Sequence, residues 1–202
     1  MQSDVRDRLR RAFRWTDPGP QSDLLVSDRS GWWRDPELLD GLGPALGALF
    51  TEESPTVVVA PEVTGFLIGP LVARALGAGF VEAYRDGARR PIAEPMTWAD
   101  VPADHRGERQ RLGVRSRLLG GADRVLIVDD WIVTGSQARA LHAVTAALGA
   151  EVVGTATIVA DCDPLVTVEL RVRGLLTGAD LGGADLGGAD LGGAEGPAGP
   201  GH

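Results

Sequence analysis

The 202-residue chain has no lysine and no asparagine, and all 20 of its basic residues are arginine. The missing lysine excludes Schiff-base catalysis, lysine-bound pyridoxal phosphate and a Gly-Lys-Ser/Thr phosphate loop. The missing asparagine excludes N-linked glycosylation. An anion must therefore be held by arginine, backbone N–H groups or hydroxyls. Cysteine is nearly absent as well: Cys162 alone cannot close an internal disulfide, so a reducing cytoplasm is expected. Long apolar runs are lacking, because residues 65–81 are interrupted by Pro70 and Arg74 and no membrane span is predicted. The mixed charges of residues 1–14 do not read as a signal peptide. The formal net charge of −8 argues against a general nucleic-acid binder.

The acidity is uneven. Residues 174–202 carry Asp180, Asp185, Asp190 and Glu195 and no base, whereas 105–117 hold five arginines against one glutamate. A basic segment on an acidic protein suits either a small anionic ligand or a solvated helix face.

Hydrophobic periodicity predicts an α/β fold: a parallel sheet flanked by helices, beneath an N-terminal hood. Val5, Leu9 and Phe13 recur every fourth residue and predict a helix over 3–14; a second runs over 38–50, with Asp35-Pro36 at its start. Residues 1–50 form the hood and 51–173 the core. In the core, strands are expected at 56–60, 79–84, 124–128, 151–160 and 166–172, and helices at 65–76, 108–119 and 136–148. The polar segment 85–104 is expected to be a loop, and its length suggests a lid. Strands alternating with helices make parallel β-α-β units, whose ligands bind at the C-terminal ends of the strands. In the glycine-rich tail, 174–202, Ala-Asp-Leu-Gly-Gly repeats with period five and resembles the pentapeptide-repeat pattern. Three clean copies make less than one coil of that family, so disorder is the expectation, with a short ordered or protein-binding segment as its rival.

The richest segment is Arg124-Val-Leu-Ile-Val-Asp-Asp-Trp-Ile-Val-Thr-Gly-Ser-Gln137. An apolar strand delivers Asp129 and Asp130, and a short hydroxyl-bearing loop then opens a helix. Carboxylates accept from vicinal hydroxyls and favour a nearby divalent cation, while helix-start N–H groups with Thr134 and Ser136 suit a phosphate. The bland alternative is that one acid ends the strand, the other begins a turn, and nothing binds.

This segment resembles the signature of the type I phosphoribosyltransferases, which use 5-phosphoribosyl 1-diphosphate (PRPP) with magnesium. Residues 57–81 independently resemble the strand, diphosphate loop, helix and strand of the adenine-type members. The resemblance spans residues 56–160. It implies transfer of the 5-phosphoribosyl group to a purine base, adenine first, with release of diphosphate and with Mg2+ carried on PRPP and no direct protein ligand. The catalytic residues it implies are Asp129, Asp130 and Arg85. Val133, Thr134, Gly135, Ser136 and Gln137 would cradle the 5-phosphate; Glu62, Val63, Thr64, Gly65, Arg85 and Arg89 would meet the diphosphate, with Arg90 beside them. Family members commonly dimerise, so a homodimer is implied, with no nucleic acid and no membrane as partner.

The sequence departs from the family at Thr64, Val133 and Gln137. That motivates an alternative: a non-catalytic PRPP-binding regulator. For the base pocket the candidates are Trp131 and Trp15, then Phe13, Arg14, Trp32 and Trp33. No general base stands out among Glu94, Asp100, Asp104, His105 and Glu108. His142 and Cys162 read as structural residues.

Overall fold

The computed structural model describes residues 2–19, 25–87, 92–102 and 110–182. The hood begins with helix α1 (Gln2–Ala12), followed by the short antiparallel strands β1 (Arg14–Thr16) and β2 (Val26–Asp28). Helices α2 (Ser30–Arg34) and α3 (Pro36–Gly47) follow. Asp35 caps α3 by accepting from the N–H groups of Glu37 and Leu38, with Pro36 in the first turn, as the Asp-Pro pair leads one to expect.

The core then alternates. Strand β3 (Val57–Pro61) leads into α4 (Gly65–Leu76), and β4 (Gly79–Arg85) follows. Two further strands, β5 (Met96–Val101) and β6 (Gln110–Arg115), precede β7 (Arg124–Ile132), α5 (Ser136–Ala147) and β8 (Glu151–Ala160). The chain closes with α6 (Pro164–Glu169) and β9 (Val172–Thr177). One seven-stranded sheet has the order β5-β6-β4-β3-β7-β8-β9. Strands β4, β3, β7, β8 and β9 run parallel; β6 is antiparallel to β4 and to β5.

Alternation along the central strands sends side chains to two cores. Val58, Ala60, Leu126 and Val128 face α3, α4 and the hood, where Leu9, Trp32, Leu38 and Leu42 are completely buried. Val57, Val59, Val125 and Ile127 face Ala140, Leu141 and Val144 of α5. Burial on both faces explains why β3 and β7 read as unbroken apolar runs.

Three expectations are corrected. The helix expected over 108–119 is strand β6 followed by a 3-10 turn, Ser116–Leu118. Its buried residues Leu112 and Val114 alternate along an edge pairing that local periodicity did not reveal. The expected loop 85–104 contains β5, where the Trp98 ring lies over Gly113 on β6; any Cβ at 113 would fall 2.4 Å from that ring. The strand expected over 166–172 is mostly helix α6, begun by Pro164 and capped by Asp163, whose carboxylate accepts from the Leu165 N–H.

The domain boundary also moves. Residues 174–182, assigned from composition to a disordered tail, are ordered here: they finish β9 and form a 3-10 turn, Gly178–Leu181, while 183–202 lie outside the described residues. Leu175, Leu176 and Leu181 are buried in the core beneath the hood. Removing three such leucines, at about 2–5 kcal/mol each, would match a typical total stability of about 5–15 kcal/mol. A chain ended at 173 should show no cooperative transition by circular dichroism.

Candidate active site

The C-terminal ends of β4, β3 and β7 are neighbours in the sheet, and they carry Arg85, Glu62 and the Asp129–Asp130 pair. The backbone N–H of Asp130 donates to Asp129 Oδ1 at 2.9 Å. Burial first, and then the charge of Asp130, pushes the Asp129 carboxyl well above the usual carboxylate range. Asp130 is buried and bonded through Oδ2 to Nη1 of Arg29, a hood residue.

Past β7 the chain turns through Val133 and Thr134 to Gly135, whose φ of 71° is the left-handed conformation that glycine adopts freely. A Cβ there would also press on Leu170 and Val166, at 2.7 and 2.8 Å. The Thr134 and Ser136 hydroxyls lie 2.9 Å apart, and the Ser136 N–H donates to Thr134 Oγ1 at 3.3 Å. This loop, opening a twelve-residue helix, presents the two hydroxyls beside the helix-start N–H groups. Arg139 braces it from behind, donating to the Thr134 carbonyl at 2.7 Å while its other N–H groups bond Glu169 of α6 at 2.8 and 2.7 Å. Sequence reasoning missed Arg139; its position one turn into α5 was the available signal.

Arg85 ends β4 close to the same loop. Its Nη2 donates to Gln137 Oε1 at 3.5 Å and its Nη1 to Gln110 Oε1 at 3.4 Å, both long. Its Nε is buried and has no partner among the described residues. Glu62 faces inward instead: it is buried, and Oε1 accepts the Arg85 backbone N–H at 2.8 Å, so it braces the loop. The Glu62–Val63 peptide bond is cis, Val63 is exposed, Thr64 is half-buried, and Gly65 opens α4 against Ala60. Arg89, Arg90, Asp104, His105 and Glu108 lie outside the described residues. Beside Arg85, a cavity of about 340 Å³ is lined by Tyr84, Asp86, Ile92, Glu94, Met96 and Trp98, among others.

The hood aromatics divide by role. Trp131 packs against Phe13 and Trp15, with ring centroids 5.8 and 6.2 Å away, and its buried Nε1 has no partner among the described residues. Trp15 donates to the Leu181 carbonyl at 2.8 Å. Trp32 is fully buried and donates to the Leu9 carbonyl, so it packs the hood and does not face a base; Trp33 lies edge-on to it. Arg14 donates to the Arg11 and Phe13 carbonyls. Glu94 is paired with Arg117, and Asp100 is exposed on β5. His142 lies 3.4 Å from the Thr155 hydroxyl, and burial lowers its pKa. Cys162 rests against the Thr167 hydroxyl.

A clasp holds the hood to the end of the sheet. Asp180 pairs with Arg10 at 2.6 Å and closes a capping box with Thr177. The Thr177 N–H first, then Arg10, lowers the Asp180 pKa from the ordinary 3.8 to about 2. Because the folded value is depressed, the clasp contributes fully above pH 3.8 and its contribution fades as pH falls through about 2. Asp180→Asn should therefore unfold at lower urea than the parent near neutrality. The gap should close on acidification; a gap constant with pH would refute the role of the charge.

No family model matches the chain. It is 35% identical over 153 residues to the adenine phosphoribosyltransferase of Methylococcus capsulatus, covering 76% of this chain and 86% of that protein. The crystal structure of adenine phosphoribosyltransferase from Rhodothermus marinus superposes with a TM-score of 0.71 at 26% identity, over 87% of this chain and 99% of that one. The adenine phosphoribosyl transferase of Trypanosoma brucei, solved with AMP, pyrophosphate and ribose-5-phosphate, shares the fold with a TM-score of 0.70 at 19% identity, over 93% and 88% of the two chains. With the acidic pair, the phosphate-type loop and Arg85 gathered at the strand ends, these likenesses agree with the motif that first suggested them: the chain belongs to the adenine phosphoribosyltransferase-like family of type I phosphoribosyltransferases.

Proposed function

We propose that this chain transfers the 5-phosphoribosyl group of PRPP to a purine base, adenine first, releasing diphosphate. The observation that carries the reading is the single rim formed by the acidic pair on β7, the Thr134–Gln137 loop and Arg85, which reaches Gln137 from β4. The 5-phosphate would sit on the first turn of α5, with the Thr134 and Ser136 hydroxyls. Asp129 and Asp130 would accept from the ribose hydroxyls, and Arg85 would meet the diphosphate through the donor it now leaves unused. A purine would lie beneath the hood beside Trp131, whose buried indole N–H suits an acceptor nitrogen of the base.

The donor set fits magnesium brought in by the substrate. Asp130 already faces a guanidinium, and Asp129 lies directly beside it. Bound to the diphosphate oxygens, Mg2+ would neutralise the charge that grows on the leaving group. The chain's own contribution is positioning and a fixed cation opposite that charge. Among the described residues no helix is long and apolar enough to cross a membrane; a cytoplasmic location and a homodimer are what the family likeness would imply.

A PRPP-binding regulator is the second reading. It is favoured by the contacts that already occupy Asp130 and Arg85, with Arg29 and the two glutamines. Supplying PRPP, magnesium and adenine, hypoxanthine, guanine, xanthine, uracil or orotate in turn, and following diphosphate release, separates the two. Turnover with adenine is expected; tight PRPP binding without turnover on any base would favour the regulator.

A further inference from the structure

Arg29 was not singled out by its sequence context, yet among the described residues it is the hood side chain bonded to the acidic pair. Its Nη1 lies 2.5 Å from Asp130 Oδ2, and the two side chains retain 15% and 9% of their exposure. The backbone that delivers it is anchored on both sides. Ser27, buried, pairs with Trp15 between β1 and β2; Asp28 Oδ1 accepts the Ser30 N–H at 2.9 Å. Trp32, three residues on and fully buried, is bonded to the Leu9 carbonyl at 2.9 Å.

The two acids are consequently held in different ways. Asp129 Oδ1 accepts a backbone N–H, whereas Asp130 is held from the hood through Oδ2, and the two carboxyls lie within hydrogen-bond reach of each other. Adjacent carboxylates repel strongly where water is scarce, and a guanidinium against one of them offsets that repulsion and fixes its rotamer. We propose that Arg29 is a positioning residue for sugar recognition: by gripping Asp130 Oδ2 it aims Oδ1 at a ribose hydroxyl and ties seating of the hood to occupancy of the sugar site. The proposal rests on the phosphoribosyl reading above. A tether whose only task was to hold the hood would have no effect on how the sugar's hydroxyls are read.

The test is calorimetric binding of ribose 5-phosphate, its 2-deoxy and 3-deoxy analogues, and inorganic phosphate to the full chain and to Arg29→Met, Arg29→Gln and Arg29→Lys. One lost hydrogen bond to a charged acceptor corresponds to at least about a tenfold preference of the parent for ribose 5-phosphate over a deoxy analogue. Arg29→Met should cut that preference below about threefold for one analogue while inorganic phosphate binds within about twofold of the parent. Arg29→Lys should recover part of the preference, because it keeps the charge and loses the planar fork. If Arg29→Met does not fold, Arg29→Gln is read by the same ratio. An unchanged ratio, or tighter sugar binding once the arginine is gone, overturns the proposal. A parent chain with no preference for the hydroxyls overturns the sugar-site reading itself, which distinguishes the two failures.

Discussion

Replacing Asp129 and Asp130 together by asparagine should lower PRPP affinity by roughly 10²–10⁴-fold and leave a folded protein without measurable transfer. Hydrogen bonds to ionised acceptors are worth about 1.5–3 kcal/mol each, and two lost at one sugar give that range. The folding side separates the two positions. The folded-state pKa of Asp129 is raised by burial and by Asp130, so this group favours the folded chain in acid and opposes it once pH climbs through that raised value. Asp129→Asn alone should thus melt at or above the parent temperature at neutral pH, with the advantage shrinking in acid. Asp130→Asn works the other way, because it leaves the half-buried Arg29 without its anion. Melting curves across pH and calorimetry with PRPP and magnesium measure both effects. Unchanged PRPP affinity in the folded double variant would mean that the sugar does not bind there.

Much of this site was legible because its parts are local in sequence. Asp129 to Gln137 run off one strand into one helix, so a nine-residue pattern implies their common position, and burial on both faces marked β7 as an interior strand. The Asp35-Pro36 start of α3 and the ends of α4 were readable for the same reason, since caps are local chemistry. What was hidden is non-local. β5 and β6 exist because they pair with each other and β6 pairs with β4; their half-polar sequences, with two arginines in β6, carry no strand signal alone. Arg29 reaches Asp130 across 101 residues, and Arg10 reaches Asp180 across 170. Composition likewise misjudged 174–182, because the first Ala-Asp-Leu copy alone follows Thr177, whose hydroxyl closes the capping box; the later copies have glycine at that offset.

Arg85→Met should cost about 10²–10³-fold in turnover, the scale of removing one fixed donor aimed at developing charge. The fold should tolerate it, because among the described residues the Arg85 side chain makes only long bonds to two neutral glutamines and its Nε makes none. The loss should follow the diphosphate. PRPP turnover should fall while ribose 5-phosphate, which lacks that group, binds within about twofold of the parent. In a chain without lysine, Arg139 grips the Thr134–Gln137 loop through the Thr134 carbonyl while Arg85 reaches Gln137 from β4, and the geometry of arginine matters: Arg85→Lys restores a charge but not the fork that spans Gln110 and Gln137. Lysine should therefore recover turnover only in part. Equal losses for PRPP and ribose 5-phosphate would show that Arg85 shapes the phosphate loop through Gln137 and does not meet the leaving group. Single-turnover rates at saturating magnesium, set beside the two affinities, decide between those roles.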